Sequence, residues 1–137
     1  MLNTEYRELV SMLQLDSHIH RITRTQIASR TRTYNLEQGR LTNEMGSSLG
    51  LSSIRLARYQ ALLVRLKVGA VLSSSGRHVK FILEPAALTK GIIFSEELLP
   101  ACHTDVQTCL YNTLDRNAEG QVYLPIEPHW YIYLERD

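Results

Sequence analysis

Apolar residues recur at helical spacing in some stretches of this chain and at strand spacing in others. In MLNTEYRELVSMLQL, Tyr6, Leu9, Val10, Leu13 and Leu15 form one stripe with Asn3 placed ahead of it as a cap, which predicts an N-terminal helix. Asp16-Ser17 reads as the break and cap before a further helix over His18 to Arg32. That helix would gather Ile19, Ile22, Gln26, Ile27 and Ala28 near one side and leave Arg21, Arg24, Arg30 and Arg32 elsewhere. Thr33 to Leu41 follows as a short strand or loop.

The stretch LTNEMGSSLGLS, Leu41 to Ser52, carries the densest local signal. Thr42 is a fitting N-cap and Glu44 places negative charge in the first turn. Met45 and Leu49 share a face at i and i+4, and Gly50 supplies the left-handed conformation that ends a helix cheaply. Leu51 folds back as the apolar plug, and Ser52 or Ser53 caps a second helix that runs towards Gly69. A short helix, a glycine turn and a longer helix form the helix-turn-helix pattern. A rival parse sets that motif over Ile22 to Leu41, with Ile27 and Leu36 in the core, but that stretch has no turn glycine before Gly39.

Val71-Leu72 and Val79 to Leu83 flank the polar tip Ser73-Ser74-Ser75-Gly76-Arg77-His78, which predicts a hairpin. In this order the elements from Ser17 to Glu84 resemble the winged helix-turn-helix superfamily of bacterial, phage and plasmid DNA-binding regulators. The resemblance implies an α+β fold: a winged helix-turn-helix over residues 17–84, an additional N-terminal helix over 1–16 for packing or dimerisation, and a C-terminal extension over 85–137. It also implies that the helix near Ser53 to Lys67 enters the major groove of double-stranded DNA. On a helical wheel Leu56 and Leu63 set the core direction while Arg58 and Arg65 point away from it. Arg55 and Arg58 are then candidates for base edges, Arg65 for phosphate, and Ser52 and Ser53 for phosphate at the helix start. The tip residues Ser74, Ser75, Arg77 and His78, with Lys80, would meet the backbone or minor groove.

Beyond Pro85, Ala86 to Leu99 reads as a helix in part, loosened at Gly91 and ended by Pro100. His103 to Leu114 reads as a further helix, and Gln121 to Ile126 with Trp130 to Leu134 as a C-terminal β-hairpin rich in aromatic residues.

Composition adds a charge asymmetry. The chain of 137 residues is 44% apolar and 21% charged, as expected of a folded globular protein. Its net charge is +1, yet Ser17 to Leu83 holds eleven Lys and Arg against two acids, a net of +9, and the remainder carries −8. A cationic centre suits a polyanion such as DNA. No apolar run approaches the ~20 residues a bilayer-spanning helix needs, and the N-terminal residues do not read as a secretory signal, so no membrane partner and a cytoplasmic location are expected.

Enzyme chemistry finds no anchor. Cys102, His103, Cys109 and His129 match no compact zinc spacing, and on one straight helix the two cysteines would sit about 10.5 Å apart along the axis, too far for a disulfide. No phosphate-binding loop, HExxH or GxSxG motif occurs. The expectation is therefore a transcription regulator, non-enzymatic, with no cofactor and no metal, acting as a homodimer through the N-terminal helix or the tail after Pro85. The alternatives are a plasmid or phage replication or partition protein, and an interaction module that binds a protein partner through the C-terminal segment without DNA.

Overall fold

A computed structural model describes residues 2–36, 40, 42–83, 89–99 and 121–135. Helix α1 spans Thr4–Leu15, and the Asn3 side chain caps it by accepting from the Glu5 amide at 2.9 Å. Strands β1 (Ile19–Thr23), β2 (Gln26–Ser29) and β3 (Thr33–Asn35) follow as an antiparallel meander. Helices α2 (Asn43–Leu49) and α3 (Ser53–Leu66) come next, then β4 (Val68–Ser74), β5 (His78–Leu83), β6 (Thr89–Ser95), β7 (Gln121–Glu127) and β8 (Trp130–Glu135). All eight strands join one sheet in the order β3-β2-β1-β4-β5-β6-β8-β7, each neighbouring pair antiparallel.

The local chemistry read at the helix turn holds. Thr42 accepts from the Met45 amide at 3.2 Å, Gly50 adopts φ 62°, and Ser52 accepts from the Arg55 amide at 3.1 Å. Lys67, also left-handed at φ 56°, ends α3 directly before β4.

The surrounding architecture does not hold. Among the described residues the protein is an eight-stranded antiparallel sheet with three helices, mostly β. This overturns the α+β winged helix-turn-helix with C-terminal helices. Residues 18–32 are not a helix but the β1–β2 hairpin. The misleading spacing arises from a bulge between Ile19 and Arg21, which turns Ile19 and Ile22, three apart, to the same core. The expected partial helix over Ala86–Leu99 is replaced, from Thr89 to Ser95, by strand β6 between β5 and β8. Gly91 marks a close approach there: a Cβ on it would lie 1.9 Å from the Phe81 carbonyl oxygen and 2.6 Å from the Tyr133 ring. The helix expected over His103–Leu114 lies outside the described residues. The C-terminal hairpin is present, as β7 and β8.

Helices α1 and α3 contribute to one core with the sheet. A cross-strand row of Ile27, Ile22, Val71, Phe81 and Ile92 supplies the sheet side. Against this core pack Leu9, Leu13, Leu56, Tyr59, Leu62 and Leu63, each fully buried or nearly so. Tyr6 meets Phe81 edge-on at 5.2 Å between ring centres, and Phe81 stacks on Trp130 at 6.3 Å. The apolar stripe of α1 is thus consumed within its own chain, apart from Leu15, which is exposed.

Candidate nucleic-acid interface

Charge pairing between α1 and α3 decides which basic residues are available. The two helices contact each other, and their oppositely charged side chains pair in reverse order along the chain. Arg55 donates from Nε to Asp16 at 2.5 Å and from its terminal nitrogen to the Met12 carbonyl at 3.2 Å. Arg58 holds both oxygens of Glu8, at 2.8 and 2.7 Å. Arg65 lies 3.3 Å from Glu5. The three arginines expected to face DNA therefore neutralise three acids from the chain's own negative flank.

The deepest of these contacts is a small network. Tyr59, fully buried, donates its hydroxyl to the same Asp16 oxygen at 2.6 Å. Burial and the neighbouring carboxylate raise the Tyr59 phenol far above its ordinary value of 10.0. The hydrogen bond to Asp16 in turn raises Arg55, which stays charged.

Ser52 is engaged as the α3 cap, and exposed Ser53 begins that helix. Lys80 sits on the opposite face of the sheet from the helices, in a row with Arg21 and Leu72, with its ammonium 4.6 Å from the centre of the Tyr133 ring. It is separate from the hairpin tip.

The structure gathers the remaining expected residues at one end of the sheet. Ser75 (φ 55°) and Gly76 (φ 74°) form the two central residues of the β4–β5 turn, closed by the Arg77 amide donating to the Ser74 carbonyl at 3.0 Å. Two successive left-handed residues are what a type I′ hairpin requires. The tip does not project freely: Gly76 is buried against Gln14, whose Cα would lie 2.7 Å from an added Cβ. Ser74, Arg77 and His78 remain exposed beside it.

The turn between β2 and β3 reaches the same place, because β2 runs back alongside β1 and ends level with Ile19. Arg30 in that turn lies 3.4 Å from the Ser75 hydroxyl. An open groove of about 1150 Å³ results, lined by Arg30, Ser74, Ser75, Arg77 and His78, with Gln14 and Ser17 from the α1 end and Ser95, Glu96 and Glu97 from the end of β6. Arg30 was visible in the sequence only as part of a supposed helix, and Ser95, Glu96 and Glu97 as part of another. Their convergence follows from strand pairing, which has no local sequence signature. Among the described residues neither Arg30 nor Arg77 forms an ion pair.

Two further details fix this end of the molecule. His20 donates to the Ser73 carbonyl at 3.2 Å and His129 to the Ser95 carbonyl at 2.9 Å, tying β1 to β4 and the β7–β8 turn to β6. His129 is thereby in a structural role, while Cys102, His103 and Cys109 lie outside the described residues. On the flank, Tyr34 and Ser48 bring their hydroxyls within 2.7 Å, and Ser48, then Arg32, draws the Tyr34 phenol below its ordinary value.

No described helix is long and apolar enough to cross a membrane. Comparison with protein-family models, with curated proteins and with solved structures gives no match.

Proposed function

We propose that this protein binds the phosphate backbone of double-stranded DNA at the end of the sheet where the β2–β3 turn meets the β4–β5 hairpin. The observation that carries the reading is the convergence of exposed Arg30, Arg77 and His78 with the hydroxyls of Ser74 and Ser75 around one open groove. Guanidinium groups and hydroxyls are the donors that phosphate oxygens accept from. Glu96, whose amide donates to the Arg77 carbonyl at 2.9 Å, and Glu97 also line the groove and repel phosphate, so the backbone would pass on the side of Arg30 and Ser75.

Recognition by α3 is not part of the proposal. A helix whose arginines are held by Glu5, Glu8 and Asp16 would have to surrender three ion pairs to reach a duplex. What remains is contact that positions the protein on DNA without reading bases. Titration of a labelled mixed-sequence duplex, followed by fluorescence anisotropy at several salt concentrations, tests it. With two phosphates neutralised, the logarithm of affinity should fall against the logarithm of salt with a slope of about −2 or steeper. A chain that fails to bind at low salt, or binds with no salt dependence, would refute the proposal.

A further inference from the structure

The described residues that line the groove balance in charge. Arg30 and Arg77 supply two positive charges and Glu96 and Glu97 two negative ones, so with a neutral imidazole on His78 the lining is neutral. One proton on His78 makes it positive. Imidazole is the side chain whose ordinary ionisation falls between about pH 5 and 8, whereas guanidinium groups keep their charge throughout that range and carboxylates keep nearly all of theirs down to about pH 5.5.

Strand register places His78 between the two kinds of neighbour. It pairs with Ser74 on one side and Ser95 on the other, so the three side chains form a cross-strand row on one face of the sheet. Ser74 leads into Ser75, whose hydroxyl lies 3.4 Å from Arg30, and Ser95 leads into Glu96 and Glu97. His78 is exposed, and its ring makes no hydrogen bond or ion pair among the described residues. The other ionisable groups close by are engaged elsewhere. Lys80, two positions along the strand, lies over the Tyr133 ring, His20 and His129 hold the Ser73 and Ser95 carbonyls, and Asp16 accepts from Arg55 and Tyr59.

Resting on the phosphate reading of this groove, we propose that protonation of His78 sets its affinity, so that the chain binds the DNA backbone more tightly as pH falls from about 8 to about 5.5. The imidazolium donates from both ring nitrogens and stands between the two carboxylates and the side where phosphate passes. A bound phosphate favours the charged form of the ring in return, so binding takes up a proton. Phosphodiesters stay ionised throughout, which leaves the titration to the protein.

Anisotropy titrations of a labelled mixed-sequence duplex at about pH 8 and about pH 5.5, at one ionic strength, test this, with far-UV circular dichroism to verify the fold at each pH. The parent chain should bind about three- to tenfold more tightly at the lower pH, with a salt slope steeper by about one. His78→Gln should bind within about twofold of the same affinity at the two pH values, and His78→Lys, charged at both, should bind at the higher pH about as tightly as the parent does at the lower. An affinity that does not rise at the lower pH, or a rise that His78→Gln retains, overturns the inference while leaving the phosphate reading in place. A parent chain that binds at neither pH refutes that reading and the inference with it.

Discussion

Replacing Asp16 by alanine removes the acceptor that Arg55 and Tyr59 share, and the structure sets the size of the loss. Tyr59 is fully buried and its hydroxyl donates to Asp16 at 2.6 Å. Stranding that donor costs about 1–3 kcal/mol. Arg55 keeps 32% of its side chain exposed and can be rehydrated, so its share of the ion pair is discounted to about 1 kcal/mol. Asp16→Ala should therefore destabilise the fold by about 2–4 kcal/mol. Tyr59→Phe removes the donor instead, leaves Asp16 with Arg55, and should cost only about 1–2 kcal/mol. Because both changes act on one hydrogen bond, the double variant should lose at least about 1 kcal/mol less than the sum of the single losses. Urea unfolding followed by circular dichroism measures all three, with midpoint shifts of order 1 M expected for Asp16→Ala. An Asp16→Ala protein within about 0.5 kcal/mol of the parent, or strict additivity, would show that the network does not hold α1 to α3.

Two other outcomes follow from the packing. Gly91→Ala should prevent β6 from seating between β5 and β8, since its methyl would overlap the Phe81 carbonyl and the Tyr133 ring; thermal unfolding should show a loss of about 3 kcal/mol or more, or no folded protein. Tyr59 has a folded-state pKa raised from 10.0, so its contribution is complete below pH 10 and declines as pH rises above the unfolded value. Stability measured from pH 8 to 11 should fall at the alkaline end, and Tyr59→Phe should flatten that fall without removing the part due to Tyr6, whose phenol burial also raises.

Local rules carried the sequence reading where the structure obeys them locally. The caps Asn3, Thr42 and Ser52, the left-handed Gly50, the β4–β5 hairpin and the β7–β8 pair all depend on residues close in sequence, and all are present. The structure departs from those rules where a distant contact imposes its own spacing. Ile19 and Ile22 mimic a helical face because a bulge realigns them, although Ile19, Ile22, Thr23, Thr25 and Ile27 are a β-branched run that favours strand. Ile92, Ile93 and Phe94 carry the same signal in β6, masked by Gly91, which reads as a helix breaker until Tyr133 is seen over it.

The charge asymmetry was legible, but its meaning was not. The cationic centre suits an external polyanion, yet Glu5, Glu8 and Asp16 of the acidic flank are spaced to meet Arg65, Arg58 and Arg55 on an adjacent helix. That complementarity of spacing is present in the sequence and is the signal that could have redirected the reading. On a wheel whose core direction is set by Leu56 and Leu63, Ile54 and Leu62 both fall on the outward side, yet Leu62 is buried and Ile54 exposed.

Paired substitutions measure most directly where the cations that meet phosphate lie. Arg30→Ala/Arg77→Ala and Arg58→Ala/Arg65→Ala should be compared in duplex titrations across the same salt series. The first pair is predicted to weaken binding alike for every sequence and to flatten the salt slope by about two, while the second leaves affinity and slope unchanged. The reverse pattern would place DNA on α3 and contradict the assignment.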